Sequence, residues 1–250
     1  MTGRVAAYLD ARLRRGPLHF TLIDPEKSDA AQAAGLARGA VAAGSDAILL
    51  GGSTGISPER MGAAARAVRA AVPVPAIIFP EGPGSISPDA DALLFMSLLN
   101  SRSPELVIRS QARAAEAIRR LGIETLALGY LVVAPGMRVG EVGRADLLDR
   151  SDLAGARGYA LAAEMFGMRF VYLEAGSGAP APVPEAMVRA VREVLSVPLV
   201  VGGGIRSGAD AGRILDAGAR ILVTGTVAEE HGVEGALAEI LMEVTRRRAR

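Results

Sequence analysis

Short apolar runs rich in Val, Ile and Leu recur along the chain. Each is followed by a Gly, Ser or Asp loop and then by an Ala/Arg-rich stretch with helical character. The runs are LHFTLID (18–24), DAILLG (46–51), PAIIFP (75–80), DALLFMS (91–97), IETLALGYL (123–131), RFVYLEA (169–175), PLVVGGG (198–204) and RILVTGT (220–226). They are continuously apolar rather than alternating, which suits parallel strands covered on both faces. Helical segments fall between them at 28–43, 59–71, 104–121, 152–166, 184–195 and 208–217. Eight strands with intervening helices in 250 residues predict an α/β fold, a (β/α)8 barrel of the TIM type, with a doubly wound open sheet as the alternative. No linker or low-complexity stretch divides residues 1–250, so the chain reads as a single domain.

Two spacings depart from the pattern. Between the third and fourth runs lies only EGPGSISPDA (81–90), rich in Pro and Gly and too short for a crossover helix. The third barrel helix is therefore expected to be missing, replaced by irregular chain, with a gap in the outer wall. Between the fifth and sixth runs lies the opposite anomaly, VVAPGMRVGEVGRADLLDRS (132–151), a long loop expected to fold over the active face. The basic end TRRRAR (245–250) reads as a frayed helix terminus.

Composition narrows the chemistry. Lys plus Arg is 28 against Asp plus Glu 27, a net charge of +1, so no long polyanion surface is expected. Aromatics are 4% and Trp is absent, which argues against base stacking and a nucleic-acid partner. Zero Cys excludes disulfides, thiolate metal sites and cysteine nucleophiles. The two histidines divide: His19, near the start of strand one, reads as a packed core residue, and His231 as solvated. The N-terminal MTGRVAAYLDARLRR is amphipathic and charged, unlike a signal peptide. The longest uncharged run, Thr125 to Met137, is short of the about 20 residues a membrane span needs. A cytoplasmic protein without a transmembrane segment is the expectation.

In such barrels the loops after the strand C-termini build the active site, and those after strands seven and eight often grip a phosphate. Here they read Gly202-Gly203-Gly204-Ile205-Arg206-Ser207 and Thr224-Gly225-Thr226. Glycines let backbone amides approach an anion closely. After strand six comes Tyr172-Leu173-Glu174-Ala175-Gly176-Ser177-Gly178. Tyr172 and Glu174 lie two apart and so share a face, which suits a small hydroxylated phosphate. The alternative is a Glu174 bridged to an internal Arg, with Tyr172 as filler. Across the mouth, strand one ends in Asp24-Pro25-Glu26-Lys27 and strand two in Gly51-Gly52-Ser53-Thr54-Gly55. One carboxylate and one hydroxyl, Asp24 and Ser53, are too few for a closed metal cage but suit magnesium, which keeps waters and takes ligands from substrate phosphates. Asp24 equally suits an N-cap on the first helix. Lys27, the lone lysine, reads as exposed or phosphate-contacting rather than imine-forming. Asn100, Ser101 and Arg102 are candidate ligand contacts, and Leu98 and Leu99 candidate lining of an apolar cleft.

The set LIDPEK (22–27), GGSTGIS (51–57), FMSLLNSR (95–102), GYLVVAPG (129–136), YLEAGSG (172–178), GGGIRS (202–207) and TGT (224–226) resembles the geranylgeranylglyceryl phosphate synthase family, its second branch in particular. The resemblance implies a modified (β/α)8 barrel that joins sn-glycerol 1-phosphate to geranylgeranyl diphosphate through an ether bond, releases diphosphate and uses Mg2+. By motif position it implies Asp24 and Ser53 as metal ligands. It places the glycerol phosphate on Tyr172, Leu173, Glu174, Ala175, Gly176, Ser177, Gly178, Gly203, Gly204, Gly225 and Thr226. Thr226 stands where the family often has Asn. Glu174, with Tyr172, is the expected catalytic group, and the isoprenoid groove is expected to run towards the missing third helix. The resemblance further implies a homo-oligomer, dimer or hexamer. A phosphosugar aldolase or isomerase, or a non-catalytic phosphometabolite binder, is the alternative function.

Overall fold

A computed structural model describes residues 3–52, 55–225 and 235–248. Ser53, Thr226 and His231 lie outside the described residues. Eight parallel strands form a closed barrel in sequence order: β1 (Leu18–Ile23), β2 (Ala47–Leu50), β3 (Ala76–Ile78), β4 (Ala92–Leu98), β5 (Glu124–Val132), β6 (Phe170–Glu174), β7 (Leu199–Gly202) and β8 (Ile221–Thr224). Closure is made by β1 on β8, with Leu18 opposite Ile221 and Thr21 opposite Thr224. The open-sheet alternative is thereby excluded.

The continuous apolarity of the strands is explained by two buried faces. Phe20, Leu49, Ile77, Leu94 and Leu128 fill the barrel interior. Their neighbours point into an outer layer, which divides in two. On one side Ile48, Ile78 and Leu93 pack under α2 (Ala30–Ala42), α3 (Pro58–Ala71) and α4 (Ser110–Leu121). On the other, Leu131, Leu173, Val201 and Leu222 pack under α6 (Leu153–Met165), α7 (Glu185–Arg192), α8 (Gly208–Asp216) and α9 (Ala236–Arg248). Between β3 and β4 the structure has only a three-residue 3-10 turn, Pro83–Ser85, so the third helix is absent as its spacing predicts. The long loop after β5 carries one short helix, α5 (Met137–Val142).

The N-terminal segment folds as α1 (Arg4–Leu13), whose Val5, Leu9 and Leu13 join the interior cluster. Its first amides, on Val5 and Ala6, donate to the Glu124 carboxylate at 2.8 and 2.7 Å, an acceptor placed where a helix N-terminus favours negative charge. The basic end is a correction to expectation. It stays helical through Arg248, which pairs with the fully buried carboxylate of Asp46, while Arg247 pairs with Asp216 and Glu243. A buried carboxylate is costly unless paired, and Arg12 supplies the second partner of Asp46. Among the described residues no helix is long and apolar enough to cross a membrane.

Candidate active site

One cavity of about 1020 Å³ opens at the C-terminal ends of the strands. Alternation along β6 turns Phe170, Tyr172 and Glu174 inward, and Tyr172 and Glu174 reach the cavity. The Tyr172 ring meets Tyr130 of β5 edge-on, with centroids 4.9 Å apart, and stacks on Phe79 at 6.1 Å. Among the described residues no Arg pairs with Glu174. Its Oε1 accepts the Gly176 N–H at 2.7 Å, and the Tyr172 and Tyr130 hydroxyls donate to the carboxylate. Burial raises the Glu174 pKa above the ordinary carboxylate value, against the lowering effect of these three donors. Burial and the nearby carboxylate push both phenols well above 10, so they stay protonated donors.

Glycine makes this cluster possible. A Cβ at Gly202 would overlap the Tyr172 hydroxyl, and one at Gly203, where φ is +78°, would overlap Oε1 of Glu174. Ser177, Gly178, Gly203, Gly204 and Gly225 line the cavity around the carboxylate. Leu173 and Ala175 are fully buried in the outer layer, so only their backbone faces this end of the barrel. Gly176 is committed through its N–H to Glu174.

Asp24 lines the same cavity from β1. The cap of α2 is Asp29, in a reciprocal capping box with Gln32, so Asp24 does not serve as an N-cap. Its Oδ1 accepts the Glu26 N–H at 2.9 Å instead. A Cβ at Gly52 would lie 2.5 Å from Oδ1, so only glycine lets β2's exit pass this carboxylate. Glu81, just after β3, also lines the cavity, and its pKa is raised by burial first and then by the like charges of Asp24 and Glu26. Lys27 is exposed in the turn after Asp24 and lines the mouth. Among the described residues no three His, Cys, Asp or Glu side chains converge as a metal cage.

From the mouth the cavity turns apolar. It touches Leu94, Met96 and Leu98 on the inner face of β4, then Leu93 and Phe95 on the outer face. It ends against Ala114 and Ile118 of α4, in the space the absent helix would fill. The entry to α4 is a π-helical turn, Glu105–Arg109, where the sequence pattern implies ordinary helix. Ser97 donates to the Val107 carbonyl at 2.6 Å and the Gln111 amide to the Leu106 carbonyl, so both carbonyls of the turn are satisfied by side chains. The same amide donates to the Met96 carbonyl of β4 and ties the turn to the strand.

Asn100 is not a ligand contact. It is buried, and its amide spans the Val132 N–H and carbonyl and the Asp146 carbonyl, tying the end of β4 to the long loop. Ser101 likewise donates to Gly143, and Leu99 packs in the outer layer rather than the cleft. Sequence reasoning missed Tyr130, Glu81 and Arg206. Glu81 sits at a strand end, the signal that picked out Asp24 and Glu174. Arg206 lines the cavity and donates to the Gly178 carbonyl at 2.8 Å.

Fold and site together define a phosphate-handling (β/α)8-barrel enzyme, with two polar walls sharing one apolar cavity. Residues 10–244 match the PcrB family, and the chain belongs to that family. It is 47% identical over 230 residues to geranylgeranylglyceryl phosphate synthase of Thermococcus gammatolerans, covering 92% of this chain and 91% of the relative. The enzyme of the same name from Methanothermobacter thermautotrophicus is 48% identical over 239 residues, covering 95% and 97%. The crystal structure of (S)-3-O-geranylgeranylglyceryl phosphate synthase from Thermoplasma acidophilum, in complex with sn-glycerol-1-phosphate, has a TM-score of 0.93 at 44% identity, over 98% of this chain and all of that one. A thiamine phosphate pyrophosphorylase from Pyrococcus furiosus, at 15% identity and a TM-score of 0.60, shares the fold alone.

Proposed function

We propose that the protein is a prenyltransferase that forms an ether bond between sn-glycerol 1-phosphate and geranylgeranyl diphosphate, releasing diphosphate. The carrying observation is that one cavity joins the features this reaction needs. Its glycine-rich wall at β6–β8 suits a phosphate, Asp24 and Lys27 continue the rim at the exit of β1, the strand paired with β8, and an apolar arm passes outside β4. Relatives named for this reaction match over nearly the whole chain, and one of them is known with sn-glycerol-1-phosphate bound.

The glycerol phosphate sits on Tyr172, Glu174, the 176–178 turn and the glycines at 203, 204 and 225, with Thr226 beyond. Its free primary hydroxyl attacks the allylic C1 of the prenyl diphosphate. The new C–O bond forms as the bond to diphosphate breaks, and the hydroxyl proton passes to Glu174. Burial raises the proton affinity of that carboxylate, which suits a base. Holding hydroxyl and C1 together supplies much of the rate. The electron-rich faces of Phe79, Tyr130 and Tyr172 suit the positive charge that builds at the allylic carbon. Burying about ten prenyl carbons, at roughly 0.8 kcal/mol each, gives on the order of 8 kcal/mol before ordering costs.

Charge in the cavity fits a divalent cation. Among the described lining residues at the exits of β1–β3, two carboxylates, Asp24 and Glu81, stand with one cation, Lys27, so an incoming diphosphate meets a net acidic wall there. Asp24 and Ser53 would hold Mg2+ there. The ion would neutralise charge on the departing diphosphate oxygens. An Asp24→Asn variant is expected to lose Mg2+-dependent diphosphate binding while keeping its affinity for sn-glycerol 1-phosphate, both read by calorimetry. Unchanged metal-dependent binding would contradict the assignment of Asp24.

A further inference from the structure

Beneath the exit of β8 lies a buried polar cluster, beside the Asp46 carboxylate that accepts the His19 N–H at 3.0 Å and pairs with Arg12 and Arg248. It consists of His19, Thr21, Ser45 and Thr224, with both ring nitrogens of His19 engaged. Nε2 stands 2.9 Å from the Thr224 hydroxyl, and Nδ1 stands 3.2 Å from the Ser45 hydroxyl. Ser45 Oγ lies 3.2 Å from the carbonyls of His19 and Ala47, so its proton goes to the backbone. The Ser45 oxygen then accepts from Thr21 and from His19 Nδ1–H. That assignment leaves Nε2 as the acceptor of the Thr224 O–H. Thr224 is the last residue of β8 and lines the cavity immediately before Gly225.

We infer that His19, through Thr224, is a positioning residue for the phosphate grip: it anchors the end of β8 from behind so that the backbone at Gly225 meets the anion. This rests on the glycerol phosphate site proposed above. Four buried polar side chains are costly unless mutually bonded, and apolar residues would fill the same space. What the cluster adds is a fixed orientation for one strand end, where small displacements weaken anion binding. His19 is fully buried, and burial takes its pKa down to about 3, so the ring is a neutral acceptor throughout the working range.

The side chains that can replace histidine separate the two bonds. Gln places an amide oxygen near the position of Nε2 and can keep the Thr224 bond, whereas Asn reaches only towards Ser45. Affinities for sn-glycerol 1-phosphate and for inorganic phosphate would be measured by calorimetry, with thermal unfolding and the KM for the prenyl diphosphate alongside. His19→Asn is expected to weaken glycerol phosphate binding about tenfold. His19→Gln should stay near wild type, and the KM for the prenyl diphosphate should not move. Thr224→Val, nearly equal in volume, should match His19→Asn, while Thr224→Ser restores binding, which keeps the test decisive if His19→Asn does not fold. Equal affinities in all four variants, with only the unfolding temperature lowered, would overturn the inference. Wild-type protein that binds glycerol phosphate but forms no ether would defeat the proposed reaction and leave this inference standing. Wild-type protein that binds neither phosphate would defeat both.

Discussion

Glu174 is held between two opposing effects. Removal from water favours its neutral form, while two phenols and the Gly176 amide favour the carboxylate, and burial is the larger. A general base works only when deprotonated, so activity should fall as pH drops through its pKa. Because that pKa is raised, the acid limb of kcat/KM should lie above the ordinary glutamate value of about 4.3. Glu174→Gln keeps shape and one acceptor oxygen but not basicity. It is expected to lower kcat by about 10²–10⁴ while changing glycerol phosphate affinity much less, as steady-state kinetics and calorimetry would read. A loss confined to KM would make Glu174 a binding group only. Glu174 and Tyr172 were legible because two-residue alternation at a strand end aims both at the mouth. Tyr130 was not, since a tyrosine within an apolar run reads as core. Only the parallel pairing of β5 with β6, which sets Tyr130 directly opposite Tyr172, brings its ring against Tyr172 and its hydroxyl to Glu174.

At the scale of elements, the missing third helix was legible from chain length alone, because 81–90 leaves no room for one. Its consequence was partly legible too: the cavity does run out through that gap, over both faces of β4. The π-turn at Glu105–Arg109 was not legible. Helix and π-turn share one residue pattern, and the choice is made by tertiary donors, Ser97 and Gln111, reaching the carbonyls of the turn. The end TRRRAR misled for a similar reason, since nothing local announces that Arg248 will meet the buried Asp46. The apolar arm ends at α4, where Ala114 is small and buried. Ala114→Phe should fill that end and shift the preferred prenyl diphosphate from C20 to a shorter chain, with little change in the KM for glycerol phosphate. An unchanged chain-length profile from folded protein would place the tail elsewhere.

Over the whole molecule, barrel closure is what makes a site from residues far apart in the chain. Asp24 and Glu174 come from opposite halves of the sequence, yet both line one cavity. The N-terminal helix α1 packs its apolar face into the interior cluster, and the cavity opens at the C-terminal ends of the strands. Two anionic substrates can then meet over one apolar arm, and that convergence is the central claim. It is tested most directly by turnover. Purified protein with labelled sn-glycerol 1-phosphate would be offered C15, C20 and longer prenyl diphosphates, with and without Mg2+. An ether-linked prenylglyceryl phosphate, formed only with Mg2+ and fastest with C20, is the result expected. No ether product from folded protein that binds glycerol phosphate would contradict it.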